Sequence, residues 1–285
     1  MSRSMQNGER KNYRIKFLKS LAEEGLTVFS TSDARRIAEE NGIPGTYLNR
    51  FLSFLVRDGC ITRIKRGLFA CLGPLSGDIQ VHPFVIATNL VVPSAISHWS
   101  ALNHHGLTEQ VSGVVISVTP KNVVTPSMRP YGSVEKNVRR HLWLVEGVRF
   151  EYKRIGREHF FGIEEVWIDQ YSRIPITDRE RTVLELFVSP KVFGGMGEVL
   201  GIMEEHLSSL NMEKLTGYAC RYGKIALAKR LGWVLERLSV SRRLLDPLLA
   251  IPATGYHLLD PSGQNEGVFN KRWNIRVNLG GNKAS

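Results

Sequence analysis

Between residues 11 and 71 the spacing of apolar side chains changes from a helical to an extended period, and that change constrains the fold more than any other feature. Lys11 to Glu23 places Ile15, Phe17, Leu18, Leu21 and Ala22 at helical spacings, and Gly25 stops that helix. Ser30-Thr31-Ser32-Asp33 supplies N-cap residues for a second helix through Ala34, Ile37 and Ala38, which ends at Asn41-Gly42. A third helix opens at Ile43-Pro44-Gly45-Thr46, carries the stripe Tyr47/Leu48, Phe51/Leu52, Leu55/Val56, and ends at Asp58-Gly59. Two β-rich runs follow, Ile61–Ile64 and Leu68–Cys71, joined by Lys65-Arg66-Gly67. That pattern predicts a hairpin with a basic tip. Three short helices and a basic hairpin predict a winged helix-turn-helix over residues 1–76.

In such a module the third helix buries one face on the first two and leaves its N-terminal turn free for the major groove of DNA. Thr46, Tyr47, Asn49 and Arg50 lie in or beside that turn. Arg50 and Asn49 are the candidates for base edges, because guanidinium and amide groups pair bidentately with guanine and adenine. Ser32, Arg35 and Arg36 open the second helix, where hydroxyls and cations hold phosphate. Arg63, Lys65 and Arg66 would set the hairpin on the DNA backbone or in the minor groove. The same fold also serves as a protein–protein module, but the basic tip and the polar entrance to the third helix favour double-stranded DNA.

Charge supports that expectation. The chain of 285 residues carries a net +11. Residues 1–72 hold 13 Lys/Arg against 7 Asp/Glu, net +6, and residues 214–243 hold 8 against 1, net +7. The rest cancels to −2. Clustered cations displace counterions from a polyanion. The second island comprises Lys214, Arg221, Lys224, Lys229, Arg230, Arg237, Arg242 and Arg243. A solvated helical face is its ordinary explanation. A second polyanion contact through Arg221, Lys224, Lys229, Arg230, Arg237, Arg242 and Arg243 is the alternative.

Gly73-Pro74-Leu75-Ser76-Gly77 has linker composition and sets the expected boundary between 1–76 and a second domain over 77–285. In the latter, His82–Leu90 suits a short helix and Pro93-Ser94 starts another, with Ile96, Trp99 and Leu102 as its stripe. Strands are expected at Val114–Val118, Leu142–Val145, Val148–Ile155, His159–Phe161 and Glu164–Ile168. Helices are expected at Arg181–Phe187, Met196–Leu207, Met212–Arg221, Lys224–Leu238 and Arg242–Leu249, then loops with one edge strand. Arg181, behind an Asp178 cap, is expected to pin its helix to the sheet. The fold class is therefore α+β: a winged helix-turn-helix followed by a mixed α+β domain with a mostly antiparallel sheet and a helical C-terminal part.

Other classes find little support. A hydrophobic content of 42% is too high for a disordered chain. Neither a secretory h-region nor an apolar run of spanning length occurs, so a cytoplasmic protein without a membrane partner is expected. Cys60, Cys71 and Cys220 are widely spaced, without C-x-x-C. His98, His104 and His105 lack the partners of a zinc hydrolase, so neither metal nor cofactor is expected. Glu151-Tyr152-Lys153 matches half of a metal-dependent nuclease core, but neither Glu135 nor Glu146 is a convincing second acid. Phosphate-loop, dinucleotide and nucleophile-elbow motifs do not occur. No catalytic residue emerges, and an enzyme is not expected.

Four stretches taken together carry a family resemblance: Arg63–Phe69; Ile96–Leu102 with His105-Gly106-Leu107; Asp178–Glu185; and Lys229–Glu236. In this order and spacing the chain resembles the AbiEi-type antitoxins, transcriptional regulators of abortive-infection toxin–antitoxin systems. The resemblance implies an N-terminal winged helix that binds repeats in its own promoter. It also implies a C-terminal domain that neutralises a co-encoded nucleotidyltransferase-like toxin, with no enzymatic residues to carry over. The competing readings are a metal-dependent nuclease built on Glu151 and Lys153, and a plain regulator with a ligand-sensing C-terminal domain.

Overall fold

Four phenylalanines far apart in the sequence organise the N-terminal core. In a computed structural model, which describes residues 7–73, 81–124, 142–145 and 147–279, Phe17 meets Phe51 edge-on at 5.3 Å and Phe29 stacks on Phe69 at 5.6 Å. Around them run α1 (Asn7–Glu23), β1 (Val28–Ser30), α2 (Thr31–Glu40), α3 (Leu48–Arg57), β2 (Ile61–Lys65), β3 (Leu68–Cys71) and α4 (Pro83–Leu90). The three strands form an antiparallel sheet in the order β1-β3-β2, with Phe29 opposite Phe69. Burying side chains such as Phe51 and Leu55 stabilises the packing by about 1.5–3 kcal/mol each.

Local chemistry sets these boundaries. Ser30 and Asp33 form a reciprocal capping box at the start of α2: the Asp33 N–H donates to Ser30 Oγ, and the Ser30 N–H donates to Asp33 Oδ2. The helix expected from Ile43 begins instead at Leu48, because Pro44 to Tyr47 close a turn in which the Tyr47 N–H donates to the Pro44 carbonyl. Val28 and Phe29 gain a role as β1, a strand the periodicity does not single out.

The chain divides into two compact units, Met1–Ser94 with Lys121–Tyr152 and Glu165–Pro175, and Ala95–Pro120 with Lys153–Glu164 and Ile176–Ser285. The boundary expected at 76/77 lies outside the described residues. The larger sheet has the order β6-β7-β5-β4-β9-β8, made of β4 (Ala95–Ile96), β5 (Val114–Thr119), β6 (Leu142–Val145), β7 (Val148–Arg154), β8 (Ile163–Trp167) and β9 (Arg173–Thr177). Its pairing is mixed: β4 runs antiparallel to β5 and parallel to β9, and β6 runs antiparallel to β7.

Two local expectations change here. Ala95 and Ile96, read as the start of a helix, form β4, because a fully buried apolar pair is held between β5 and β9; α5 (His98–His104) starts only afterwards. His159–Phe161 is not a strand. Residues Arg157–His159 make one 3-10 turn, whose His159 carbonyl accepts from Arg181. The arginine therefore reaches this connection rather than a strand.

The helical part holds α6 (Arg179–Val188), α7 (Met196–His206), α8 (Met212–Tyr222), α9 (Ile225–Arg237) and α10 (Arg242–Leu249). Its core joins Leu184, Phe187, Phe193, Met203, Leu215, Leu231, Leu235 and Trp273. Gly232 sits within α9 because the Trp273 ring occupies the space a Cβ would need. The tail expected as loops with one edge strand forms a small sheet, β10 (His257–Leu258), β11 (Val268–Asn270) and β12 (Ile275–Val277), with β12 in the middle. Among the described residues no helix is long and apolar enough to cross a membrane.

Candidate nucleic-acid interface

The amphipathic character of α3 decides which of its residues meet solvent. Leu48, Phe51, Leu52 and Leu55 are buried against the helices and strands around it. Asn49, Arg50 and Ser53 are left on the exposed face. Thr46 is exposed in the preceding turn, whereas Tyr47 is half-buried and packs its ring 6.1 Å from Phe51. Tyr47 is thus chiefly a margin of the core.

The hairpin and the start of α2 meet this face. The Thr31 N–H donates to the Gly67 carbonyl at 3.0 Å, which ties the first turn of α2 to the hairpin tip. Gly67, at φ +80°, makes the tight turn that brings them together. One groove of about 520 Å³ results, lined by Thr31, Asn49, Ser53, Arg63 and Arg66 over the apolar floor of Leu52 and Phe69. The Arg63 guanidinium lies 5.4 Å above the Phe69 ring, which holds a flexible cation against the groove wall. Thr31 and Ser53 belong to this groove but carry no conspicuous signal in the sequence.

Not every expected contact is free to act. Arg35, Arg50 and Arg66 are exposed, and no described residue forms an ion pair with them. Arg36 is held between Glu24 and Glu40, with Glu40 at 3.1 Å. Ser32 is exposed, and its hydroxyl lies 2.5 Å from that of Ser30. Lys65 lies at the end of β2 rather than in the tip, and its ammonium donates to the Leu90 carbonyl at the end of α4, 2.5 Å away. Burial pushes the Lys65 amine below its ordinary value, and the charge of Lys121 adds to that push. The hairpin tip therefore presents Arg66, with Arg63 beside it.

The second basic island has a different character. Lys229, expected on the solvent face of α9, is only 2% exposed and donates to the Leu248 and Leu249 carbonyls at 3.2 and 2.9 Å. It satisfies orphan carbonyls at the end of α10, since α9 is buried around most of its circumference. Arg230 donates to the Leu258 carbonyl at 2.9 Å. Lys214 pairs with Glu180 at 2.9 Å and Asp178 at 3.3 Å. Arg221 lies 4.0 Å over Phe161, Lys224 over Tyr222, and Arg237 over Trp233. Arg242 meets Asp246 at 3.7 Å, and Arg243 is exposed.

Glu151 and Lys153 lie on β7, whereas Glu135 and Glu146 fall outside the described residues. Among the described residues no group of three or more His, Cys, Asp or Glu is placed to hold a metal ion. His98 begins α5 and His105 caps its end, so neither faces the other as a ligand pair.

No family model matches the chain, and no curated protein matches it. Among solved structures, the RV2827C protein from Mycobacterium tuberculosis is similar, with a TM-score of 0.59 and 15% identity over 93% of this chain and 90% of that one. At that identity the likeness shows the α+β fold alone.

Proposed function

We propose that this protein is a DNA-binding transcriptional autorepressor whose N-terminal unit acts as a winged helix-turn-helix, with α3 entering the major groove and the β2–β3 hairpin serving as the wing. The observation that carries the reading is the shared groove: exposed polar residues of α3 and the cations Arg63 and Arg66 line one concavity beside the first turn of α2. Arg50 and Asn49 reach base edges, Arg66 and Arg63 hold phosphate, and the α2 entrance with Arg35 adds backbone contacts. Arg36 and Lys65, engaged by carboxylates and by a carbonyl, contribute little to DNA affinity.

The second half of the proposal is that the remainder of the chain neutralises a co-encoded nucleotidyltransferase-like toxin. It is supported by the resemblance of Asp178–Glu185 and Lys229–Glu236 to AbiEi-type antitoxins. The test of the first half is a gel-shift at fixed salt against the promoter of the protein's own gene. Arg50→Ala and Arg66→Ala should each weaken binding, and unchanged affinity in both would refute the reading. For the second half, co-expression with the neighbouring toxin gene should restore growth, and persistent toxicity with soluble, folded protein would count against it.

A further inference from the structure

The C-terminal unit contains a cavity of about 310 Å³ whose walls come from β7 and the turn after it, from α6, and from the junction of α8 and α9. That volume falls at the small end of the roughly 300–1,000 Å³ of small-molecule sites. Lys153, Arg154, Arg181 and Lys224 line it, together with His159 and Tyr222. Glu185 is the one carboxylate in the lining, and it is already engaged. It accepts from the His98 backbone N–H at 3.0 Å, and its Oε1 lies 3.2 Å from Arg181 Nη1. Burial acts to raise the Glu185 carboxyl, but the charges of His98 and Arg181 outweigh it and leave the group below its ordinary value.

Arg181 is the decisive residue. Its side chain is 2% exposed, and its guanidinium lies between the Phe161 and Tyr222 rings, 5.4 and 5.3 Å from their centroids. Nη2 donates to the His159 carbonyl at 3.4 Å. Nε and Nη1 have no hydrogen-bond partner among the described residues, even though Nη1 lies near Glu185. Buried donors left without acceptors are costly, and such a group in a cavity wall calls for an acceptor. His159, stacked on Tyr222 at 4.0 Å, carries a further unpartnered buried atom, Nδ1.

We infer that this cavity is a binding site for the phosphoryl group of a small organic phosphate. Four cations converge on it against one engaged carboxylate, an imbalance that a monocarboxylate would offset poorly. A phosphate monoester, with a charge of about −1.5 to −2 near neutral pH, offsets it well. Arginine, with its planar array of donors, matches the oxygens of such a group. The recess is too narrow and Arg181 too deep for duplex DNA to present its backbone there. The site is independent of the DNA-binding proposal, because none of its lining residues belongs to the α3 groove.

Isothermal titration calorimetry on the full chain, with inorganic phosphate, adenosine monophosphate and citrate as separate probes at constant ionic strength, tests the assignment. Inorganic phosphate and the nucleotide should bind saturably at one site, and citrate should bind more weakly. Arg154 and Lys224 are exposed, so Arg154→Glu and Lys224→Glu should fold like the wild type and lower phosphate affinity by about tenfold or more. Arg181→Lys, which keeps the charge but loses the planar donor array, should also weaken binding. Absence of saturable heat at about 10 mM phosphate or nucleotide would overturn the proposal. So would equal phosphate affinity in the charge-reversal variants and the wild type, or citrate binding as tightly as phosphate.

Discussion

Two stretches of nearly equal charge have opposite fates in this fold. Residues 1–72 carry +6 and residues 214–243 carry +7. In the first, Arg35, Arg50, Arg63 and Arg66 project into solvent around a groove built from α3 and the hairpin. In the second, Lys229 and Arg230 donate to backbone carbonyls, Lys214 holds two carboxylates, and Arg221, Lys224 and Arg237 lie over aromatic rings. Net charge along a sequence therefore does not measure charge offered to a partner. An ammonium that satisfies helix-end carbonyls serves the fold, whereas one on an open face serves whatever binds there.

The sharpest way to break this contrast is to remove a cation from each region and compare stability. Arg181→Ala should cost about 3–5 kcal/mol of unfolding free energy, because it strips the buried Glu185 of one of its two charged neighbours. Arg50→Ala, on the exposed face of α3, should change stability by less than about 0.5 kcal/mol. Urea unfolding of both variants checks this, and similar costs at the two sites would dissolve the distinction.

Lys229 should fall next in size. Lys229→Met leaves the Leu248 and Leu249 carbonyls without their donor and should cost about 1–3 kcal/mol. The sign of its pH dependence follows from burial, which lowers the folded-state amine below the ordinary 10.5. Between those two values the unfolded chain binds more protons than the folded one, so stability from this group rises as pH increases toward 10.5. Wild type should show that rise in alkaline urea titrations and Lys229→Met should lose it. Glu185 works in the opposite range: its folded value is depressed, so its contribution is present above its ordinary 4.5 and is lost as pH falls through the folded value.

In the groove the effects should appear in affinity rather than stability. Arg50→Ala should weaken promoter binding by about 1–3 kcal/mol and relax base preference. Arg66→Ala should weaken binding to all sequences and lower the slope of log affinity against log salt by about 1. Lys65→Ala, by contrast, should leave that slope unchanged, since its ammonium already serves the Leu90 carbonyl.

Where the sequence was legible, neighbours in sequence were also neighbours in space. The α3 stripe, the capping residues around Ser30 and Asp33, and the hairpin all follow from spacings of four residues or fewer. What escaped depends on distant partners. The Lys65 contact spans 25 residues and the two Lys229 contacts 19 and 20, so periodicity placed both on the surface. A clue for Lys229 lay in the run Ile225-Ala226-Leu227-Ala228 and in Gly232, small and apolar residues that widen the buried face of α9 beyond one stripe. β4, two residues long, has no room for a period at all. The cavity around Arg181 draws on four separate segments and leaves no contiguous motif.

The smallest predicted effect bears most directly on the contrast between the two basic stretches. After the internally engaged cations are set aside, Arg237 and Arg243 remain exposed in residues 214–243, and a double Arg237→Ala/Arg243→Ala variant removes both. If this stretch serves the fold, the variant should retain stability within about 0.5 kcal/mol and bind promoter DNA with an unchanged salt slope. Two phosphate contacts would instead lower that slope by nearly 2, a change readily measured between about 50 and 200 mM salt. Pairing the double variant with Arg63→Ala/Arg66→Ala, which removes the same number of charges from the groove, makes the comparison internal. Equal loss of slope in both would mean that the DNA touches the two islands alike, and loss in the groove variant alone would confine the DNA contact to the N-terminal unit.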